Sequence, residues 1–240
     1  MIYIDASQMD YQQLNAQIQN CSEDVSITGC LGQRFIGVGL EHQHIDISGT
    51  PGNALGAYLN GACIEVHGNV QDAVGDTMNA GRIIVHGSVG DGAGYAMRGG
   101  ELYVEGDAGY RAGIHMKAYG DKLPVMVIGG KAGSFLGEYQ AGGIIIVLGL
   151  TEINRPIVSN FPCTGMHGGK LYLRSECKDI LLPKQVTAHP ATAKELAEIS
   201  GYLHTYCRIF GGSCEELLRS AFTVITPDSQ NPYKQMYVMN

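Results

Sequence analysis

A repeat of 19 residues constrains the fold of this chain more than any other feature of its sequence. Glycine recurs at this step five times in succession, at Gly37, Gly56, Gly75, Gly94 and Gly113. Valine and methionine recur with the same spacing, at Val66, Val85 and Val104 and at Met78, Met97 and Met116. A repeat of this length indicates a stack of similar structural units, each packed against its neighbours.

Each copy of the repeat holds a short strand followed by glycine-rich corners. No room remains for a helix of about 10–14 residues, and the L-x-x-L-x-L pattern of a leucine-rich repeat is absent. We therefore predict a mainly β fold, a parallel β-helix of about eight coils whose strands stack about 4.8 Å apart. Glycine then marks corners where the backbone needs positive φ or lies close to the next coil.

Alternation within the strands predicts which side chains point into the solenoid. The positions equivalent to Ile64 and Val66 are apolar and mostly β-branched, as expected for inward stacks. In the other coils these positions hold Val25 and Ile27, Ile45 and Ile47, Ile83 and Val85, Leu102 and Val104, Val125 and Val127, and Ile145 and Val147. The repeated methionines are expected to form a further inward stack, because methionine fills irregular gaps well.

The opposite parity predicts an outward face that is polar in the N-terminal coils and apolar further along the chain. Its apolar members are Ile84, Tyr103, Met126, Ile128, Ile146 and Leu148. An apolar patch of this size has to be covered, and the sequence leaves open whether the C-terminal segment or another protein covers it. We predict that these six residues contribute to an interface with partner subunits.

Both ends of the solenoid are predicted to carry caps. The predicted segments are residues 1–23 as an N-terminal strand and helix, residues 24–178 as the β-helix, and residues 179–240 as a C-terminal helical extension and tail. Thr192 with Glu195 and Ser213 with Glu216 match capping boxes, so a helix is predicted to begin after each of them. The apolar tail, residues 221–240, is expected to dock on the solenoid or on a partner.

The glycine-rich segment 81–97 could be mistaken for a phosphate-binding loop. A dinucleotide fingerprint requires G-x-G-x-x-G at the start of a helix, but Gly90 and Gly92 are followed by Tyr95 where the third glycine should stand. The same segment recurs along the chain, whereas a nucleotide site would occur once. We predict no catalytic residues and no cofactor-binding residues in this chain.

Two histidines occupy equivalent outward positions in adjacent coils. His67 and His86 are followed by Glu105 in the next coil, and two imidazoles with a carboxylate about 5 Å apart could bind a metal ion. All three side chains lie on one flat face, however, and the sequence offers no fourth ligand at a known spacing. We predict a polar surface ladder and no metal site, with metal binding as the alternative.

Composition limits the kinds of partner that we expect and indicates the cellular compartment. The formal net charge is −7 and no basic block occurs, so nucleic acid is not an expected partner. No apolar run approaches the roughly 20 residues of a membrane span, and the first residues do not resemble a signal peptide. The seven cysteines contain no C-x-x-C pair, which is typical of a reducing cytoplasm and argues against zinc and iron–sulfur sites.

Two segments resemble the GXGXG-repeat domain that closes the glutamate synthase large subunit. They are "GEYQAGGIIIVLG" (137–149) and "TGMHGGKLYLR" (164–174), and the glycine repeat extends a looser resemblance over the whole solenoid. The resemblance implies a right-handed parallel β-helix with a mainly architectural role. Glu138 and Tyr139 belong to the matching motif, and we add them to the predicted interface.

The same resemblance implies a subunit without its own active site. In glutamate synthase the glutaminase chemistry belongs to a cysteine-nucleophile domain, while FMN and an iron–sulfur cluster belong to the synthase barrel. This chain resembles a stand-alone subunit that docks a flavin-containing synthase subunit and a glutamine amidotransferase subunit, and a homo-oligomer is also compatible with it. The glycine repeat is similar to the β-helix subunit of formylmethanofuran dehydrogenase as well, so a subunit of such a complex is the alternative.

Overall fold

The computed structural model of the chain describes residues 1–151, 156–177 and 180–228. Its elements are, in chain order, β1 (Ile2–Asp5), α1 (Tyr11–Gln19), β2 (Val25–Leu31), β3 (His44–Thr50), β4 (Asn60–His67), β5 (Ala80–Val85), β6 (Glu101–Val104), β7 (Val125–Ile128), β8 (Ala141–Val147), β9 (Gly168–Leu173), β10 (Val186–Pro190), α2 (Ala193–Phe210), α3 (Cys214–Arg219) and β11 (Thr223–Pro227). The first nine strands lie side by side in chain order, and each pairs in parallel with the next. The predicted mainly β fold, a parallel solenoid of about eight coils, is confirmed.

Equivalent residues of successive coils stack into columns that fill the solenoid interior. Ile45, Ile64, Ile83 and Leu102 pair one with the next, and all four side chains are fully buried. Branched side chains suit such columns because they pack well on a pleated surface and have few rotamers to lose. The predicted methionine column is confirmed too, since all three repeated methionines are fully buried in the same core.

The chain turns between strands through five-residue corners whose first, third and fifth residues have positive φ. In one corner φ is 67° at Gly92, 67° at Gly94 and 50° at Ala96. The third residue faces the interior, where a Cβ atom on Gly37 would lie only 2.6 Å from Cδ1 of Ile64. Glycine is favoured at this position for conformational and steric reasons together, which explains the glycine series of the repeat.

The register of β7 differs from the prediction by one residue. Met126, and not Val125, pairs with Leu102, because the insertion before β7 is one residue longer than assumed. Side chains alternate between the two faces of a strand, so a slip of one residue exchanges those faces. Met126 and Ile128 therefore lie in the solenoid interior, and Val125 and Val127 face outward. The prediction that Met126 and Ile128 belong to an outward interface is wrong.

Helices α2 and α3 of the same chain cover the apolar flank of the solenoid. Tyr103, Ile146 and Leu148 face outward as predicted, but they are fully buried in a cluster that includes Tyr206 of α2. Ile84, on the same face, keeps only 7% of its surface exposed. Burial within the chain contradicts the prediction that these residues meet a partner subunit, and it decides between the two alternatives that the sequence left open.

Strands from the terminal segments complete the sheet at both ends. At the N-terminal end, β1 pairs in parallel with β2, and α1 contributes Leu14 and Ile18 to the solenoid core. At the other end, β11 pairs antiparallel with β9, and β10 pairs antiparallel with β11. The first part of the predicted docking tail thus becomes β11, while residues 229–240 lie outside the described residues.

Both C-terminal helices begin at the predicted caps. At the start of α2, the Thr192 backbone N–H donates to the Glu195 carboxylate over 2.9 Å, and the Glu195 N–H donates to Oγ1 of Thr192 over 3.3 Å. At the start of α3, the Glu216 N–H donates to Oγ of Ser213. These bonds satisfy donors that a helix N-terminus leaves free. Within the described parts of the chain, no helix is both long and apolar enough to cross a membrane.

The α2 cap is predicted to make folding stability sensitive to acid. Hydrogen bonds from Thr192 lower the pKa of Glu195 from 4.5 to about 2. This stabilisation is fully present above pH 4.5 and is lost as the pH falls towards 2, because the unfolded chain binds the proton first. Glu195→Gln should remove this dependence, so urea unfolding of the two proteins should differ at about pH 7 and converge at about pH 2. A difference that does not change with pH would contradict the assignment.

Two glycine variants test the geometry of the coils. Gly143 has φ of +81°, and a Cβ atom there would lie 2.6 Å from the Pro124 carbonyl oxygen, so Gly143→Ala should cost about 3 kcal/mol or more. Gly92 has φ of +67° but open space around it, so Gly92→Ala should cost only about 1 kcal/mol. Chemical denaturation measures both costs, and equal costs would show that close packing between coils is not the cause.

Candidate functional site

Aromatic side chains are exposed along one corner of the C-terminal coils. Together with an arginine they form a surface that we call the aromatic corner, made of Tyr95, Tyr110, Arg111, His115, Phe135, Tyr139 and Phe161. The exposed fractions are 42% for Tyr95, 38% for Tyr110, 45% for Tyr139 and 56% for Phe161. This apolar surface stays accessible although α2 and α3 cover the flank.

The backbone of the corners explains why these side chains point into solvent. Arg111, Phe135 and Phe161 are the first residues of successive corners, with φ of 59°, 62° and 57°. His115 and Tyr139 are fifth residues, with φ of 55° and 52°. A left-handed backbone costs a residue other than glycine about 1 kcal/mol, and the two preceding corners hold only alanine, glycine or threonine at these positions. Phe35 and Tyr58 also occupy such positions near the N-terminus, but in the C-terminal coils bulky residues follow one another from coil to coil, which points to a role at the surface.

The rings contact one another from coil to coil. The ring of Phe135 lies 5.3 Å from the ring of Tyr110 and 5.3 Å from that of Phe161, measured between centroids. His115 stacks on Tyr139 with centroids 5.2 Å apart and planes 9° from parallel. Each such pair contributes about 0.5–1.5 kcal/mol, so the rings hold one another in place before any partner binds.

An ion pair anchors the centre of the aromatic corner. Nε of Arg111 lies 2.8 Å from Oε2 of Glu138, whose side chain is buried. The Arg111 guanidinium carbon also lies 4.8 Å from the ring centroid of Tyr110 and 5.6 Å from that of Phe135. The ion pair and the two ring contacts restrict the motion of the guanidinium, and its outer N–H groups can donate to a partner.

Most of the residues that the sequence predicted for an interface are buried in the structure. Tyr139 is exposed, and seven others are buried within the chain: Ile84, Tyr103, Met126, Ile128, Glu138, Ile146 and Leu148. Sequence reasoning missed Arg111, Phe135 and Phe161, because the coils there are spaced by 24 and 26 residues. Aligning each corner on its central residue would have shown that all three occupy the same position.

A second cluster of polar side chains lies on the outward face of β3, β4 and β5. Nε2 of His67 lies 2.8 Å from Oδ2 of Asp46, and Nε2 of His86 lies 2.7 Å from Oε1 of Glu65. The two imidazole rings stack with centroids 5.0 Å apart, and Oε2 of Glu105 lies 4.0 Å from Nδ1 of His86. We call these five residues the His–carboxylate cluster. Its members Glu65, His67 and His86 could hold a metal ion, as could the overlapping triple of His44, Asp46 and Glu65.

Sequence reasoning found the two imidazoles of this cluster but missed Asp46 and Glu65. Each carboxylate lies 21 residues before its histidine, which is one repeat plus two residues. The contacts are therefore diagonal between neighbouring strands, and a comparison of equivalent positions alone does not reveal them.

The cysteines provide no activated nucleophile in the core. All seven are free, and Cys30 and Cys163 are buried. Burial raises the pKa of Cys30 to about 11 and that of Cys163 to about 12. Both thiols remain protonated at neutral pH, and a protonated thiol is a poor nucleophile and a poor metal ligand.

Removing rings from the aromatic corner should leave the fold intact. Tyr139→Gly with Phe161→Gly relieves two left-handed residues but loses the ring contacts, so the free energy of unfolding should change by less than about 1 kcal/mol. Urea denaturation with far-UV circular dichroism measures the change. A loss above about 2 kcal/mol would mean that these rings hold the solenoid together rather than serve its surface.

Comparisons with known proteins agree with this architecture. The family model described as "GXGXG motif" matches residues 4–228. An uncharacterized protein of Methanocaldococcus jannaschii is 41% identical to this chain in an alignment of 250 positions. The alignment covers 98% of this chain and 96% of that protein. The spacing of the motif corresponds to the first, third and fifth residues of the corners, where φ is positive. This chain belongs to the GXGXG motif family, the family of the repeat domain in the glutamate synthase large subunit.

Proposed function

We propose that this chain is a non-catalytic structural subunit of a glutamate synthase-type oxidoreductase. Its partners would be a synthase subunit that carries FMN and an iron–sulfur cluster, and a glutamine amidotransferase subunit. Together they would convert glutamine and 2-oxoglutarate to glutamate. The observation that carries the proposal is the family match over residues 4–228, which spans nearly the whole of this sequence.

A solenoid of this kind suits the role of a scaffold. Backbone hydrogen bonds join each coil to the next in both the strands and the corners, as between the Ala73 N–H and the Asp91 carbonyl over 2.8 Å. Side chains on successive coils are therefore held at a fixed spacing. A partner that binds such a surface loses little free energy to ordering it, because the surface is already ordered.

The aromatic corner is the surface that we propose for docking the partner subunits. Tyrosine, phenylalanine and arginine are enriched in protein interfaces, and residues that dominate binding energy are most often tryptophan, tyrosine or arginine. Arg111 lies beside the exposed ring of Tyr110 and the half-buried ring of Phe135, and it pairs with the buried Glu138 carboxylate. The aromatic corner takes the place of the apolar flank as the proposed docking surface, because the chain covers that flank with its own helices.

We place the complex in the reducing cytoplasm. The seven cysteines are all free in this structure, although several of them lie in the core. Proteins of oxidising compartments commonly use such residues for disulfides, whereas cytoplasmic proteins keep them as thiols.

Purification of the tagged full-length chain from its own host tests the proposed assembly. We expect stoichiometric amounts of a synthase and an amidotransferase by mass spectrometry, with a flavin and iron–sulfur absorption spectrum. The eluate should also form glutamate from glutamine and 2-oxoglutarate when a reductant is supplied. A colourless chain that elutes alone would contradict the proposal, and a molybdenum- or tungsten-containing partner would favour a formylmethanofuran dehydrogenase-like complex instead.

A triple variant separates the docking surface from the fold. Tyr110→Ala, Tyr139→Ala and Phe161→Ala together should weaken binding of the purified partner at least about 10-fold, because each change removes an exposed ring. Tyr58→Ala is the matched control, since Tyr58 is 54% exposed and has φ of 56° in a corner nearer the N-terminus. Equal losses in both proteins, or no loss in the triple variant, would contradict the assignment of the aromatic corner.

A further inference from the structure

We propose that the His–carboxylate cluster binds one zinc-like divalent metal ion. The ligands are Nε2 of His67, Nε2 of His86 and a carboxylate oxygen of Glu65, with Asp46 as the fourth. Sequence reasoning rejected a metal site because no fourth ligand was visible at a known spacing. The diagonal contacts between neighbouring strands bring in two carboxylates and remove that objection.

The spacing of three of the four ligand atoms is close to what a metal requires, and Asp46 joins them through its 2.8 Å contact with Nε2 of His67. The candidate atoms of Glu65, His67 and His86 all lie within 4.8 Å of one another. A tetrahedral zinc ion with bonds of about 2.0–2.1 Å holds its ligands about 3.3 Å apart. Rotation of His67 and Glu65 can close this gap without moving the strands, because 46% of the His67 side chain and 27% of the Glu65 side chain are exposed.

The side chains also point in the right directions. Nε2 of each imidazole already faces a carboxylate oxygen, at 2.8 Å for His67 and 2.7 Å for His86. A proton occupies each of these contacts, and a metal ion that enters the cluster displaces it. Asp46 and Glu65 make their ion pairs with these two imidazoles, so no lysine or arginine has to be removed from those pairs first.

Two neighbouring groups would orient His86 as a ligand. A metal-binding imidazole commonly donates its other ring N–H to a carboxylate, and Oε2 of Glu105 lies 4.0 Å from Nδ1 of His86. The Phe210 ring at the end of α2 packs edge-on against His86, with centroids 5.0 Å apart and planes at 76°. Phe210 therefore restrains the ring and shields one side of the cluster from water.

The chemistry of the donors selects the kind of ion. Imidazole nitrogen suits zinc and its transition-metal neighbours, whereas magnesium and calcium prefer oxygen donors throughout. A site of two imidazoles and two carboxylates should therefore bind Zn²⁺ and discriminate against Mg²⁺. An acidic patch that merely attracts cations would bind both ions weakly and without a defined stoichiometry.

Isothermal titration of the full-length chain, freed of metal by a chelator, tests the proposal without any partner subunit. We expect one Zn²⁺ per chain with a micromolar or tighter dissociation constant, and no saturable binding of Mg²⁺. His67→Gln and His86→Gln should each weaken Zn²⁺ binding at least about 10-fold, and Glu105→Gln about 10-fold. His115→Gln, a histidine of the aromatic corner, is the control and should bind Zn²⁺ as tightly as the wild type.

Other outcomes would overturn the assignment. Zn²⁺ binding that survives His67→Gln with His86→Gln would place the ion elsewhere, such as on cysteine thiols. Loss in His44→Gln with retention in His86→Gln would move it to the neighbouring triple of His44, Asp46 and Glu65. Circular dichroism checks that the variants are folded, and Zn²⁺ should raise the thermal midpoint of the wild type and not of the double variant. Failure of this test leaves the proposed assembly unaffected, because the titration uses no partner subunit and the co-purification does not depend on bound metal.

Discussion

Pairing between equivalent residues of successive coils is the constraint on which the rest of this structure depends. The strands pair in parallel through the whole solenoid, and corner N–H groups donate to the next coil as well, as from Thr77 to the Tyr95 carbonyl over 2.7 Å. The strand and the corner of each coil therefore pair with the next coil in the same register. The left-handed central residue of each corner lets the chain turn back within so few residues. Glycine, which accepts this conformation most readily, holds the position in every described corner except the last, where Cys163 has φ of 61°.

Because the register is shared, the outer surface of the solenoid is also determined column by column. The outward face is apolar from Ile84 of β5 onward and α2 covers it, whereas the face of β3 and β4 is polar and carries most of the His–carboxylate cluster. Phe210 at the end of α2 packs on His86, so the helix ends where the apolar face gives way to the polar one. The proposed metal site and the packing of α2 are therefore physically adjacent, and each restrains the other.

Residue types at the corners are selected differently from those in the strands. Their first and fifth residues point outward and have positive φ, so the backbone favours glycine there, and small residues occupy these positions in the middle coils. The C-terminal coils keep Phe135, Tyr139 and Phe161 there despite the cost of a left-handed backbone. Surface recognition explains that choice better than folding does, as the proposed scaffold role requires.

The sequence by itself determined the solenoid architecture. The 19-residue repeat and the alternation within each strand are local patterns, and each copy of the repeat shows them independently. It also determined the starts of α2 and α3, because capping boxes depend on neighbouring residues alone. Only the tertiary structure decided the register after the insertion before β7, where a turn between Tyr119 and Lys122 takes up the extra residues. It also decided that α2 covers the flank, as in the contact between Tyr206 and Glu105, 101 residues apart. These outcomes depend on the length of the insertion and on packing between distant segments. Neither of these factors produces a repeating pattern in the sequence.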